Sequence, residues 1–161
     1  ASLQRQHERF VAMQADDPFV RRYMDWLEHF EFGPGHLPFC FARPRMNAAL
    51  TLADADYWLD YWCAVHEHIV DRRDARLFFV HHDALRQDAP GLIAALLTTL
   101  DATGDVAALS AQIAPPGHER ADRARYAPEL LARADALYER LMASPRTLQP
   151  LVAPAAGTGA S

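Results

Sequence analysis

Along this chain apolar side chains recur at three- and four-residue steps over most of its length, while between residues 76 and 81 a short consecutive apolar run stands between charged or histidine-rich flanks. Residues 2–14 predict a first helix, with Leu3, Phe10 and Met13 turned to a core and Gln4, Arg5, Glu8 and Arg9 around them. Asp16-Asp17-Pro18 supplies an N-cap and a proline for the first turn of a second helix. That helix is expected to run to about Phe30, striped by Phe19, Tyr23, Trp26 or Leu27, and Phe30. Phe32-Gly33-Pro34-Gly35-His36-Leu37-Pro38 then breaks it. Residues 32–52 read as a long irregular segment, a length usually reserved for a functional loop or lid.

Thr51 to Asp56 offers caps for a third helix over about 54–73, whose stripe is Trp58, Trp62, Val65 and Ile69 with Tyr57 and Tyr61 beside it. Leu77-Phe78-Phe79-Val80 is too short for a helix and rich in aromatic and β-branched residues. It predicts a strand over about 76–81, buried on both faces. Further helices are expected over 89–102, 105–113 and 128–142, the last striped by Leu130, Leu131, Ala134, Leu137, Tyr138 and Leu141. The Pro-, Ala- and Gly-rich residues 144–161 predict a disordered tail.

A lone buried strand leaves its backbone groups unpaired, at about 1–3 kcal/mol per group. The only other extended candidate, Phe39-Cys40-Phe41, is short and lies among prolines. The expected fold class is therefore α/β. Residues 1–143 form the C-terminal part of one mostly helical domain, and its parallel sheet comes from upstream sequence or another chain.

Composition narrows the function classes. A net charge of −5 argues against a broad nucleic-acid surface. No apolar run approaches the roughly 18 residues of a membrane span, and no signal peptide is visible. All sixteen Lys or Arg positions are Arg, which with the abundant alanine reads as codon bias rather than a dedicated anion surface. Cys40 and Cys63 do not form a disulfide framework, so two reduced thiols in a cytoplasmic protein are expected.

Eight histidines raise the question of a metal. His66 and His68 stand about 200° apart on a helix and cannot share one ion there. Val70 occupies the place of the second histidine in the His-Glu-x-x-His zinc motif. Cys63 and His66 are one turn apart but lack a second pair, so no metal site is expected. His81, His82 and Asp83 follow the predicted strand, at the sheet end where α/β proteins place ligands.

Phe79-Val80-His81-His82-Asp83-Ala84-Leu85-Arg86-Gln87-Asp88, followed by Ile93, Leu96, Leu97 and Leu100, resembles the late strand–helix unit of PAPS-dependent sulfotransferases, bacterial members above all. In that family the strand ends in Tyr-Glu-Asp-Leu, an Asp-Pro opens the next helix, and Phe-Leu-Gly closes it. Leu85 and Asp88 match. His82, Asp83 and Ala84 stand in for Tyr, Glu and Asp, the proline falls at Pro90 rather than directly after Asp88, and Leu100-Asp101-Ala102 replaces the Leu-Gly ending. Ala1-Ser2-Leu3 resembles the end of the family's Arg-Asp-Pro…Ser motif.

The resemblance implies a P-loop-type fold and transfer of a sulfuryl group from PAPS to a hydroxyl or amine of a small-molecule, carbohydrate or lipid acceptor. It implies that Ser2 binds the 3′-phosphate of the cofactor and that His118 and Arg120 touch the nucleotide. The phosphosulfate loop and usual base are expected upstream, in an N-terminal portion of the same protein, so the chain alone is expected to be inactive. Residues 32–52 would border the acceptor, where His29, Glu31 or His36 could assist proton removal and Arg43 or Arg45 could attract an anion. The competing expectation is a non-catalytic helical protein-interaction module, with 77–80 as an extended connector.

Overall fold

The computed structural model describes residues 2–72, 74, 76–115 and 122–151. Its elements are α1 (Ser2–Asp16), α2 (Pro18–Trp26), α3 (Ala55–Asp71), α4 (His82–Gln87), α5 (Ala89–Thr99), α6 (Val106–Ser110) and α7 (Pro128–Met142). Single 3-10 turns lie at Arg43–Arg45 and Arg123–Arg125. The chain divides into two compact units, Ala1–Arg73 with Ala121–Glu139, and Asp74–Arg120 with Arg140–Ser161.

In the first unit α3 carries the core. Tyr57, Trp58, Tyr61 and Ala64 are buried at helical spacing. Leu3, Phe32, Phe41, Met46, Leu50, Leu52 and Val65 pack against them. Trp58 donates its indole N–H to the Leu52 carbonyl at 3.1 Å, which satisfies the polar edge of a 2 % exposed ring. Residues 32–52 are therefore built into this core rather than lying over it, with Ala42 at 0 % exposure as the anchor. Asp17 caps α2 by accepting from the Phe19 N–H at 2.8 Å, with Pro18 in the first turn.

The second helix ends four residues before Phe30. Glu28 adopts φ 54°. Its N–H donates to Asp25 O, and the His29 N–H donates to Met24 O. This pair of bonds closes a helix through one left-handed residue, normally glycine, so periodicity alone overshoots. None of the α2 residues is buried, and Phe19 and Trp26 are 63 % and 69 % exposed.

The second unit overturns the α/β expectation. The described residues contain no strand and no sheet; the regular structure is helical. Residues 77–80 are extended, but Phe79 alone makes a bridge, with Thr147. The Phe79 N–H donates to Arg146 O, and the Leu148 N–H donates to Phe79 O, both at 2.9 Å. Phe78 and Val80 point outward, 40 % and 41 % exposed. The segment is thus half-buried, its one inward pair of backbone groups is satisfied within the chain, and the premise of a missing sheet falls. A short apolar run is compatible with both outcomes, because run length says nothing of whether the second face is covered.

The bridge also orders part of the expected tail. Thr147 is buried and bonds the Leu141 carbonyl through its hydroxyl, Arg146 lies over the Phe79 ring at 4.9 Å, and the Leu151 N–H donates to Gly91 O. Residues 152–161 fall outside the described residues. His81 caps α4 by accepting from the Ala84 N–H at 3.1 Å, and Asp88 caps α5 by accepting from the Gly91 N–H at 3.0 Å. Leu92, Ile93 and Ala95 form the buried face of α5.

Candidate functional site

Among the described residues of the first unit three sets of polar groups stand out, the third of them around an open cleft. The innermost is a histidine–aromatic cluster. His36, 7 % exposed, lies against His7, Tyr57, Trp58 and Tyr61, with ring centroids 5.1–5.8 Å apart. Its Nδ1 lies 2.6 Å from the Glu31 carbonyl, which only accepts, so Nδ1 carries the proton. Nε2 then accepts from the Tyr57 hydroxyl at 2.9 Å. Burial holds His36 below the usual histidine range, as it does His7. His7 Nδ1 accepts from the Gly33 N–H at 3.3 Å. Gly33 has φ 93°, and a Cβ there would stand 2.6 Å from the Gln14 side chain, so this contact requires glycine.

The second set is ionic. Asp60, between Trp58 and Tyr61 on α3, is 2 % exposed. One carboxylate oxygen accepts from the Asn47 N–H at 2.6 Å and the other from Arg133 Nη1. Arg133 also grips Glu67 through Nε at 2.7 Å and Nη2 at 2.9 Å. That grip is the first cause of a Glu67 pKa below the ordinary carboxylate range. Arg45 adds a 2.9 Å pair with Asp71. The apolar periodicity does not single out Asp60, Glu67 or Arg133. The available signal was two carboxylates two turns apart on the face carrying Cys63 and Ala64. Cys63 is fully buried, and desolvation raises its thiol to about 11.

The third set surrounds a cleft of about 420 Å³ walled by Trp58, Trp62, Tyr126 and Tyr138, with Arg123 and Asp135 at its polar edge. Arg123 donates to Asp135 through Nη1 and Nη2 at 3.1 and 2.6 Å. A second space of about 200 Å³ shares Leu3 and Trp62 with the first and includes Glu31, Phe39 and His66 in its lining. The His66 ring stacks on Trp62 at 4.2 Å, and its Nδ1 donates to the Trp62 carbonyl at 2.8 Å.

The sequence candidates are scattered among these sets. His36 is a core residue with both ring nitrogens engaged, Glu31 holds it through its carbonyl and also borders the smaller space, and His29 is exposed beyond the end of α2. Ser2 is the first residue of α1. His118 and Arg120 lie outside the described residues. Arg45 is committed to the ionic set, and Arg43 opens the 3-10 turn. In the second unit, His81 is the α4 cap, while His82 lies 3.5 Å from Asp83 at the surface. Among the described residues no helix is long and apolar enough to cross a membrane, and no group of three or more His, Cys, Asp or Glu is placed to hold a metal. Comparisons with protein-family models, curated proteins and solved structures find no match for this chain.

Proposed function

We propose that this chain is the C-terminal portion of a cytoplasmic, PAPS-dependent sulfotransferase acting on a hydroxyl or amine acceptor. The observation that carries the reading is the pair of α5 termini. The resemblance requires an aspartate that opens the helix and a residue in place of glycine that closes it. Asp88 caps α5 through its side chain, with Pro90 in the first turn. Asp101 adopts φ 50°, with its N–H on Thr98 O and the Ala102 N–H on Leu97 O. Asp101 thus closes α5 in a left-handed conformation that glycine adopts most readily, at the place that the resemblance gives to the glycine of Phe-Leu-Gly. The expected strand before this unit is not part of the proposal.

Sulfuryl transfer is mainly positioning and stabilisation of oxygen charge. The test is binding of adenosine 3′,5′-bisphosphate to the full-length parent protein, alone and with Ser2→Ala. Saturable binding that weakens in the variant supports the reading. Absence of binding in the parent, or of an Arg-Asp-Pro encoded directly before Ala1, removes it.

A second reading, a non-catalytic helical interaction module, is favoured by the exposed Phe19, Tyr23 and Trp26 of α2. Circular dichroism with chemical denaturation separates the two. A cooperative monomer favours the module, and a chain that becomes cooperative only with an N-terminal fragment favours the transferase.

A further inference from the structure

A contiguous apolar patch of a few hundred Å² is seldom left in water unless something binds there. α2 carries such a patch. It packs along α1, and Val20 and Met24 are its half-buried positions. Phe19, Tyr23 and Trp26 are between 47 % and 69 % exposed. They follow one another at steps of four and three residues, which sets them in one ridge along the helix. The Phe19 and Tyr23 rings stack at 5.9 Å, and the Asp17 cap and Pro18 fix the start of the helix beneath them. A ridge ordered in advance loses little side-chain freedom when a partner covers it.

The order of residues on α2 suits a second copy of itself. Turned end for end about a two-fold axis, the ridge lays Trp26 on the partner copy's Phe19 and brings the two Tyr23 rings near the axis. Arg22 and Asp25 lie one turn apart on one flank of that ridge. Neither side chain has an ion-pair or hydrogen-bond partner among the described residues. The same two-fold sets Arg22 of each copy toward Asp25 of the other, so two free charges are answered reciprocally. At about 150–250 Å² for a large aromatic side chain, three rings exposed to this degree offer on the order of 350 Å² per copy. A pair then buries about 700 Å², less than the roughly 1,200–2,000 Å² of stable interfaces, which makes the association weak and reversible.

We propose that α2 is a self-association surface, through which two copies of this chain pair antiparallel about an axis near Tyr23, with Arg22 of each against Asp25 of the other. The pairing neither requires nor excludes sulfuryl transfer, so it stands apart from both functional readings.

The test is sedimentation equilibrium of the chain from about 10 μM to about 1 mM. The expected result is a reversible monomer–dimer equilibrium with a dissociation constant on the order of 10⁻⁴ M. Trp26→Ser is expected to weaken it about tenfold, with native helix content kept because the side chain is exposed. Arg22→Asp and Asp25→Arg each set like charges across the axis, and each alone is expected to weaken it about tenfold. Mixed one to one, these two variants present opposite charges to each other again and are expected to recover the wild-type affinity. A wild-type chain that stays monomeric throughout overturns the proposal. Undiminished dimerisation of the folded Trp26→Ser variant, or failure of the two charge variants to rescue one another, does the same.

Discussion

Arg133 of α7 donates to Asp60 of α3, joining a guanidinium to a carboxylate that is 2 % exposed and also accepts a backbone N–H from Asn47. The same guanidinium holds Glu67 with two bonds, so one side chain pairs with two acids on one helix face. This geometry separates the pair from an ordinary surface bridge, whose worth is near zero.

Removing Arg133 leaves Asp60 charged, buried and short of a partner. Arg133→Ala is expected to destabilise the chain by about 3–5 kcal/mol. Glu67→Gln, at a partly exposed site, is expected to cost well under half of that. Equal effects in urea denaturation would show that Asp60 is not the residue at stake.

His7, His36 and His66 all have folded pKa values below 6.5, each first because burial disfavours the charged ring. The unfolded chain therefore binds more protons between the folded and unfolded values, and stability rises with pH across that window. The expected outcome is full stability above about pH 7, falling as pH drops through about 6.5 and levelling once the folded rings protonate. Depressed Glu67 adds a second loss at lower pH, as its folded value is crossed. Urea midpoints measured from neutral to acid pH check both, and a flat profile above pH 5 would refute the histidine part.

Glu28 is exposed and left-handed at φ 54°. A non-glycine residue there costs about 1–2 kcal/mol, against roughly 0.5–1 kcal/mol for the extra unfolded freedom of glycine. Glu28→Gly is expected to raise stability by about 0.5 kcal/mol, and Asp101→Gly by less, because aspartate tolerates this conformation. A lower thermal midpoint in Glu28→Gly would count against the α2 terminus described.

The Phe79–Thr147 bridge predicts that residues after α7 are structural. Leu148→Pro deletes the N–H that reaches Phe79 O and is expected to cost about 1–3 kcal/mol. The Phe79 amide should also lose hydrogen-exchange protection. Unchanged protection would mean that the tail does not hold this segment.

The starts of α2 and α5 were legible because their signals are carried by adjacent residues, whereas α4, capped by His81, was not expected. Asp17 before Pro18, and Asp88 before Ala89-Pro90, bring an acceptor and a preset φ to their helices whatever surrounds them. The extent of α3 was readable from its spacing, but its inward face was not: of the expected stripe Trp58, Trp62, Val65 and Ile69 only Trp58 is buried, and the flanking Tyr57 and Tyr61 join it with Ala64. The outcome at residues 77–80 was not readable either, because a strand is defined by its partner. Only the return of the chain at Thr147 decides that one backbone pair, and not a sheet, satisfies Phe79. Likewise His36 looked like a loop histidine at a site mouth until the fold closed Tyr57, Trp58 and Tyr61 around it. The sequence by itself determined local geometry, where neighbours in the chain supply the energy. Tertiary structure decided burial, pairing and charge compensation, where the partners lie far along the chain.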